Sequence, residues 1–185
     1  MMDIHKGSGA FYSILHGLNQ IVNFLSNGAT LIIAALLVYL SGRFFNQRIY
    51  TAGKTMFVAL ITSGIVVQIL KHLIGRARPR LTHDFLVIGP SLKGGYDSFP
   101  SGHTTLAFTL ACVLSAYLPR YRIVFYSFAV ITGFVRIEGT SHFPSDVLAG
   151  AILGIIVGRL ITSKISGLPV YLSVPPGRID KEEGP

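Results

Sequence analysis

The feature that most constrains this chain is a set of five apolar runs that almost lack charged residues. They cover residues 28–45, 55–73, 103–118, 123–135 and 147–161. A helix that crosses the hydrocarbon core of a bilayer needs about 20 mainly apolar residues. The runs are apolar on every side, and no set of amphipathic helices or strands accompanies them to surround a soluble core. We therefore predict an all-α fold, a polytopic membrane helix bundle with five transmembrane spans.

The composition supports a membrane protein and disfavours other classes. Half of the 185 residues are apolar and 13% are charged, whereas soluble domains contain about 25% charged residues. The net charge is +8, but the basic residues are interleaved with the apolar runs instead of lying on one face, as they do in nucleic-acid binders. We expect no nucleic-acid partner. The basic residues instead anchor span ends or form an anion site.

The two ends of the chain differ from the apolar runs. Residues 11–25 have an apolar side opposed by polar residues, which predicts either an interfacial amphipathic helix or a short sixth span with its polar side turned inward. The polar residues are His16, Asn19, Gln20 and Asn23. We predict a single membrane-embedded domain over residues 1–166, followed by a polar flexible tail at residues 167–185.

Glycines in the apolar runs suit close packing of helices in lipid. They are Gly64, Gly133, Gly150, Gly154 and Gly158. The last three recur at every fourth position, so they share one face of a helix. We predict that this face contacts another helix, either within the bundle or in a second subunit; the oligomeric state remains open.

Five spans place the connecting segments alternately on two sides of the membrane. The segments 42–54 and 119–122 share one side with the C-terminal tail, and the segments 75–101 and 136–146 share the other. This alternation gathers three polar motifs at one membrane face.

The first motif is Lys71, six intervening residues, and then Arg78-Pro79. If the second run continues as a helix past Leu73, a separation of seven residues is two turns, so Lys71 and Arg78 project from one face. Arg76 would point elsewhere. Alone, these residues are more typical of ordinary interfacial anchors.

The second motif is Pro100-Ser101-Gly102-His103, placed where a loop becomes an apolar helix. Ser101 is a natural N-cap, Gly102 lets a ligand approach the backbone, and the free N–H groups at the helix start attract anions. His103 would lie at the mouth of that site. As a short string the motif is weak, because Ser-Gly helix starts are common.

The third motif is Arg136, His142 and Asp146, with five and three residues between them. Asp146 lies one turn after His142, so its carboxylate can accept the imidazole N–H and leave the other nitrogen free to attack. The alternative is a His-Asp pair that caps a helix.

Together, the three motifs predict an anion site. Cations at membrane depth cost roughly 2.5–3.5 kcal/mol each at a helix centre. Lys71, Arg78 and Arg136 supply three positive charges, and we expect no second acid beside Asp146 to neutralise them. A phosphoryl group provides the missing negative charge, since its transition state needs several fixed cations and N–H donors. A lipid tail would occupy the bilayer.

The order of these motifs resembles the three-part signature of the type 2 phosphatidic acid phosphatase (PAP2) superfamily, the membrane lipid phosphate phosphatases. The flanking apolar helices resemble the six-helix plan of that family, with residues 11–25 as the first helix. One departure is visible, because Val135 stands where the family usually has a serine before the arginine of the third motif.

The resemblance implies a role for each residue. His142 would attack phosphorus to form a phosphohistidine, with Asp146 orienting it. His103 would protonate the leaving lipid oxygen and then activate water. The phosphate oxygens would be bound by Lys71, Arg78, Arg136, the Ser101 hydroxyl and the Gly102 N–H, and residues 76–101 would form a catalytic loop. No metal or cofactor is implied, and the sequence agrees, because Asp84, Asp97 and Glu138 are explained as polar residues of exposed loops.

The sequence thus predicts an integral-membrane phosphatase that hydrolyses a lipid phosphomonoester or diphosphate. The alternatives are a phosphotransferase that passes the phosphoryl group to an alcohol, and a membrane protein that binds lipid head groups without turnover. Phosphatidylglycerophosphate, phosphatidic acid, a polyprenyl diphosphate and a lipid A type phosphate are all open as substrates.

The distribution of basic residues predicts the orientation in the membrane. When the three proposed cationic ligands are left out, nine basic residues lie on the side without motifs and four on the other. By the positive-inside rule, the active site faces the periplasm or exterior of the cell (inner) membrane.

Overall fold

A computed structural model describes residue 17 and residues 19–82 and 86–167. It contains five long α-helices, which we number α1 to α5. They are α1 (Gly28–Phe45), α2 (Gln47–Ile74), α3 (Gly102–Tyr117), α4 (Arg122–Glu138) and α5 (Pro144–Ser166), with a 3₁₀ turn at Pro119–Tyr121. Residues 19–25 are also helical. Within the described ranges the only β-pairing is an isolated bridge between Arg76 and Val87, so the all-α prediction is confirmed.

The predicted runs lie within the observed helices or differ from them by one residue, and the largest difference is at the start of α2. The helix begins at Gln47 instead of residue 55, because the Asn46 side chain caps it by accepting a hydrogen bond from the Arg48 N–H at 2.7 Å. The last run is also longer than predicted, since Pro144 starts α5 from its first turn, where proline is tolerated. The predicted runs are therefore shorter than the observed helices where polar residues belong to a helix but interrupt its apolar pattern.

Three helices are long and apolar enough to cross a membrane: α1, α2 and α5, with mean hydropathies of 1.7, 1.9 and 1.7. α3 has 16 residues and α4 has 17, which is at or just below the shortest length of a membrane-spanning helix. The membrane character of the fold is confirmed on these grounds, whereas the count of five spans stays a prediction.

α3 is the central helix and packs against α2, α4 and α5, while α1 packs against α2. Two pairs of hydroxyl groups join α2 to α3. The Ser63 and Thr109 hydroxyl oxygens are 2.8 Å apart, and those of Thr55 and Tyr117 are 2.9 Å apart. Each pair satisfies polar atoms that would be costly to leave unpaired in an apolar environment.

The glycine face of α5 contacts α3, as the spacing predicts. A Cβ atom on Gly154 would lie 2.4 Å from the Thr105 carbonyl oxygen, and one on Gly158 would lie 2.8 Å from the Cys112 Cβ. Gly150 is equally confined, 2.7 Å from the Ser101 carbonyl oxygen. At Gly64, in contrast, no atom of another described residue lies within 4 Å of such a Cβ, so the structure gives this glycine no close helix contact. The close seam between α3 and α5 fixes the start of α3 beside the start of α5.

The N-terminal helical segment turns its polar side toward the bundle. Asn19 Nδ2 donates to Glu138 Oε2 at 2.9 Å, and Asn23 accepts from Arg136. Phe24, in contrast, is 67% exposed. These contacts favour the inward orientation among the two alternatives for residues 11–25, although residues 11–16 lie outside the described part of the chain, as does the predicted tail beyond residue 167.

Candidate active site

The end of α2 determines where the first motif lies. The helix ends at Ile74, and Gly75 adopts the left-handed conformation at φ 60°, where its N–H donates to the Lys71 carbonyl at 3.0 Å. A Cβ at this position would lie 1.9 Å from the Gly89 carbonyl oxygen, so only glycine fits. The expectation that Lys71 and Arg78 share a helix face was therefore wrong, since Arg78 lies in the loop beyond the helix.

Lys71 and Arg78 meet instead at Asp97. Arg78 donates through Nε to Oδ1 at 2.9 Å and through Nη2 to Oδ2 at 2.6 Å. Lys71 Nζ donates to the Asp97 backbone carbonyl at 2.6 Å and lies 3.7 Å from Oδ2. Asp97 is thus a second acid at the site, and the expectation that Asp146 is the only one was wrong. The interpretation of Asp97 as an ordinary exposed loop residue was also wrong.

The electrostatics of Asp97 follow from these contacts. Burial alone would raise the pKa of the Asp97 carboxyl, but the hydrogen bonds from Arg78 and the positive charge of Lys71 outweigh it and lower the pKa to about 2. Asp97 is therefore an anion at any physiological pH, and it balances one of the two cations beside it.

His142 is buried, at 4% exposure, in the connection between α4 and α5. Its Nδ1 lies 2.7 Å from the Ser98 backbone carbonyl and 3.8 Å from Asp146 Oδ2. A carbonyl only accepts hydrogen bonds, so Nδ1 carries the proton and Nε2 keeps its lone pair. The predicted direct bond from His142 to Asp146 is thus replaced by a bond to Ser98, which lies between them.

The environment of His142 keeps it neutral. Burial lowers the pKa of the His142 imidazole, and the charges of Lys71 and Arg78 act in the same direction, while the Asp146 carboxylate acts against them. The imidazole is therefore unprotonated near pH 7 and available as a nucleophile.

Asp146 lies fully buried in the first turn of α5 and joins the motifs structurally. Its Oδ2 accepts from the Ser98 hydroxyl at 2.6 Å and from the Phe143 N–H at 2.9 Å. Its Oδ1 accepts from Arg76 Nη1 at 2.5 Å. Asp146 therefore reaches His142 through Ser98, whose hydroxyl binds Asp146 and whose carbonyl binds the imidazole.

Arg76 is the functional neighbour that the sequence interpretation missed. It does not point away from the site, because it binds Asp146, donates to the Ser145 hydroxyl at 2.8 Å and lies with its guanidinium carbon 4.2 Å from the centre of the Phe143 ring. The available signal was Gly75, since glycine after an apolar run commonly ends a helix and redirects the chain.

The second motif begins α3 as expected, although its serine does not cap the helix. Ser101 is at the N-cap position, but its hydroxyl pairs with the Thr104 hydroxyl at 2.9 Å and bonds no backbone N–H. Its own N–H donates to the Asp146 carbonyl at 3.0 Å, which ties α3 to α5. A Cβ on Gly102 would lie 3.7 Å from Lys71 Cε, so this backbone passes directly beside the lysine.

His103 and Arg136 complete the cluster. His103 lies within electrostatic range of Lys71, Arg78, Arg136 and His142. Arg136 donates through Nη2 to Asn23, and its Nε is buried with no hydrogen-bond partner among the described residues. The three motifs are thus brought to one end of the bundle.

The other predicted acids contribute less. Glu138 is exposed and binds Asn19, in agreement with its reading as a surface residue, and Asp84 lies outside the described residues. Across residues 19–82 and 86–167, no group of three or more His, Cys, Asp or Glu side chains is placed to hold a metal ion.

These features define a class of protein: an apolar helix bundle with a polar cluster at one end, in which a neutral histidine with a free Nε2 lies among several cations. The model of the PAP2 superfamily matches residues 52–167, which is most of the chain and includes all three motifs. The chain belongs to the PAP2 superfamily, and the resemblance of its motifs is confirmed.

Individual relatives agree with this assignment. The chain is 31% identical over 152 residues to the lipid A 1-phosphatase of Rhizobium johnstonii, covering 74% of this chain and 62% of that protein. Its fold is similar to the crystal structure of Aquifex aeolicus LpxE, with a TM-score of 0.64 at 27% identity over 81% of this chain and 86% of the other. It is also similar to a transmembrane PAP2 type phosphatidylglycerolphosphate phosphatase from Bacillus subtilis, with a TM-score of 0.63 at 26% identity over 81% and 76%.

Proposed function

We propose that this chain is an integral-membrane lipid phosphatase that hydrolyses a lipid phosphomonoester or diphosphate through a phosphohistidine on His142. The observation that carries the proposal is the hydrogen bond from His142 Nδ1 to the Ser98 carbonyl. It fixes the tautomer whose Nε2 is nucleophilic, and it does so beside Lys71 and Arg78, which attract a phosphate.

In the first step, Nε2 of His142 attacks phosphorus and the bond from phosphorus to the lipid oxygen breaks. His103 donates a proton to that departing oxygen as a general acid. Lys71, Arg78 and Arg136 bind the phosphoryl oxygens, together with the Ser101 hydroxyl and the Gly102 N–H. The developing charge is thereby matched by fixed donors.

In the second step, His103 accepts a proton from water, whose oxygen attacks the phosphohistidine. The bond from phosphorus to Nε2 breaks, inorganic phosphate leaves and neutral His142 is restored. Asp146 acts as a positioning residue in both steps, since it holds Ser98 and, through the Ser98 carbonyl, the orientation of the imidazole.

The placement in the membrane is part of the proposal. All five helices cross the cell (inner) membrane within one domain over residues 1–166, and the active site faces the periplasm or exterior. The support is the excess of basic residues at the end of the bundle opposite the motifs. Of the two short helices, α3 lies at the centre of the bundle, and α4 exposes apolar side chains such as Ile123, Val130 and Phe134, as a helix in contact with lipid does.

The substrate class follows from the site and the family together. Phosphatidylglycerophosphate, phosphatidic acid, polyprenyl diphosphates and lipid A type phosphates all carry a terminal phosphate attached to a membrane-bound tail. The R. johnstonii relative is named as a lipid A 1-phosphatase, which makes glucosamine-based lipid phosphates the first class to assay.

The experiment is phosphate release from these four lipids by purified protein in detergent, with chelator present and no added metal. We expect release by the unaltered protein and loss of turnover in His142→Ala. A matched control is Tyr121→Ala, an exposed ring at the opposite end of the bundle, which leaves turnover unchanged. Turnover that survives in His142→Ala would refute the assigned nucleophile, and product formation only with an acceptor alcohol would identify a phosphotransferase.

A further inference from the structure

Two adjoining cavities lie against the C-terminal part of α2, beside the site described above. One has a volume of about 300 Å³ and is lined mainly by polar and charged residues, and the other has a volume of about 550 Å³ and a largely apolar lining. Both are bordered by Gln68, His72, Ser91 and Leu92. The shared border makes them two parts of one amphipathic groove.

The smaller cavity is cationic. Its lining includes Arg78, Arg80 and Lys93 against a single carboxylate, Asp97. Asp97 is engaged by Arg78 in a bidentate pair, so no lining acid is left to balance the charges of Arg80 and Lys93. The Lys93 Nζ lies 5.2 Å from the centre of the Tyr96 ring. A cavity of this size and charge fits a phosphate or similar anion.

The larger cavity suits a hydrocarbon chain. Ile69 and Leu73 are one turn apart on α2 and are 54% and 56% exposed, and Leu92 across from them is 89% exposed. Exposed leucine and isoleucine side chains at the end of a membrane helix contact lipid tails. The groove therefore combines an anion pocket with an apolar slot, which is the chemistry of a phosphate-bearing lipid.

We propose that this groove binds the part of the lipid substrate that lies beyond the phosphate being hydrolysed: a second anionic group in the cationic cavity and the adjoining stretch of an acyl chain in the apolar cavity. The proposal rests on the proposed function, because it names the substrate class of that same site. The enzyme then prefers lipids with two separated anionic groups over lipids with one.

Arg78 connects the groove to the chemistry. It lines the cationic cavity and also lies within electrostatic range of His103 and His142. Neither histidine lines the cavity, and nor does Arg136. The cavity thus shares only Arg78 with the residues proposed to bind the phosphate that His142 attacks. We assign the anion in the groove as a different group, with Arg80 and Lys93 as specificity-determining residues without a part in the chemical steps.

The test uses two substrates and three variants. The substrates are an acylated glucosamine disaccharide with one phosphate and the same lipid with a second phosphate on the distal sugar. Arg80→Gln/Lys93→Gln removes the two charges, Arg80→Lys/Lys93→Arg keeps them, and Arg43→Gln/Arg120→Gln removes two exposed charges at the opposite end of the bundle.

We expect Arg80→Gln/Lys93→Gln to lower kcat/KM for the two-phosphate lipid about tenfold and to change kcat/KM for the one-phosphate lipid less than about twofold. The expected loss is modest because exposed charge contacts are individually weak. The charge-conserving variant restores the preference, and the control at the far end leaves it intact. An equal loss for both lipids would overturn the proposal, because it would indicate general attraction of anions instead of a site.

A binding arm separates this proposal from the catalytic one. Equilibrium binding of the same two lipids to His142→Ala in detergent should show the same preference and its loss in Arg80→Gln/Lys93→Gln. If no lipid phosphate is hydrolysed by the unaltered protein, the proposed function fails. The binding preference then still tests whether the groove recognises a second anionic group. If the groove cations instead govern binding of phosphatidylglycerol from mixed micelles and do not discriminate between the two substrates, the occupant is a bilayer lipid and the proposal is wrong.

Discussion

The two aspartates at the active-site end of the bundle hold cations in different surroundings. Asp146 is fully buried and accepts hydrogen bonds from Arg76, Ser98 and the Phe143 N–H. The Asp97 side chain is 38% exposed and binds Arg78 and Lys71. The first set joins helix starts and loops and so holds the site together, whereas the second involves the two cations that we propose to bind substrate. The same ion-pair chemistry thus serves architecture in one place and, under the proposed function, ligand binding in the other.

The largest effect is expected from breaking the buried pair. Arg76→Ala leaves the Asp146 carboxylate buried without its cation, which costs about 3–5 kcal/mol in comparable cases. We expect the free energy of unfolding in detergent, measured by urea titration, to fall by about that amount and activity to be lost with it. Asp97→Ala is the matched comparison, and a loss of stability as large as that of Arg76→Ala would remove the distinction between the two aspartates.

Ser98→Ala probes the link from Asp146 to His142. The change removes the hydroxyl that binds Asp146 and keeps the carbonyl that binds Nδ1. We expect a loss of about 1–2 kcal/mol in unfolding free energy and a fall in kcat with little change in KM, since the imidazole is less well held. Thr162→Ala, another buried hydroxyl but on α5 away from the motifs, should leave kcat unchanged; an equal fall in kcat there would contradict the assigned role of Ser98.

Asp97→Asn tests the more exposed pair. The neutral amide no longer competes with a phosphate for Lys71 and Arg78, so we expect inhibition by inorganic phosphate to become about threefold to tenfold tighter. Unfolding free energy should change by less than about 1 kcal/mol, because the pair is partly solvated. Weaker phosphate inhibition in Asp97→Asn would show that Asp97 orients the cations instead of competing for them.

The smallest expected effects are in the pH dependence. The pKa of His142 lies below its usual 6.5, so the nucleophile is protonated, and kcat/KM falls, only as the pH drops through that lower value. The pKa of Asp97 near 2 lies below its unfolded value, so the stability it contributes is present above about pH 4 and lost between there and pH 2. A rate profile from pH 4.5 to 8, corrected for the substrate's own titration by phosphorus NMR, checks the first point; an acid limb centred above pH 6.5 would contradict it.

Much of this architecture was predictable from local sequence. Apolar runs locate helices because a membrane helix needs continuous hydrophobicity, and the alternation of helices brings Lys71, His103 and His142 to one end. The break after Ile74 was misjudged, since helical spacing was extended through Gly75. Asp97 was misread because its partners lie 19 and 26 residues away, and loop closure at that range has no periodic signature. The bond from His142 to Ser98 uses a backbone carbonyl, which every residue has, so no residue pattern could indicate it.

The measurement that tests the central claim most directly is mass spectrometry of the enzyme quenched at alkaline pH during turnover of a lipid phosphate. With a lipid aryl phosphate, whose phenolate departs without the general acid that His103 otherwise supplies, His103→Ala lacks only the proposed activator of water and should accumulate a phosphoryl group on His142, whereas His142→Ala should carry none. Phosphate found on another residue, or steady turnover in His142→Ala, would contradict the account.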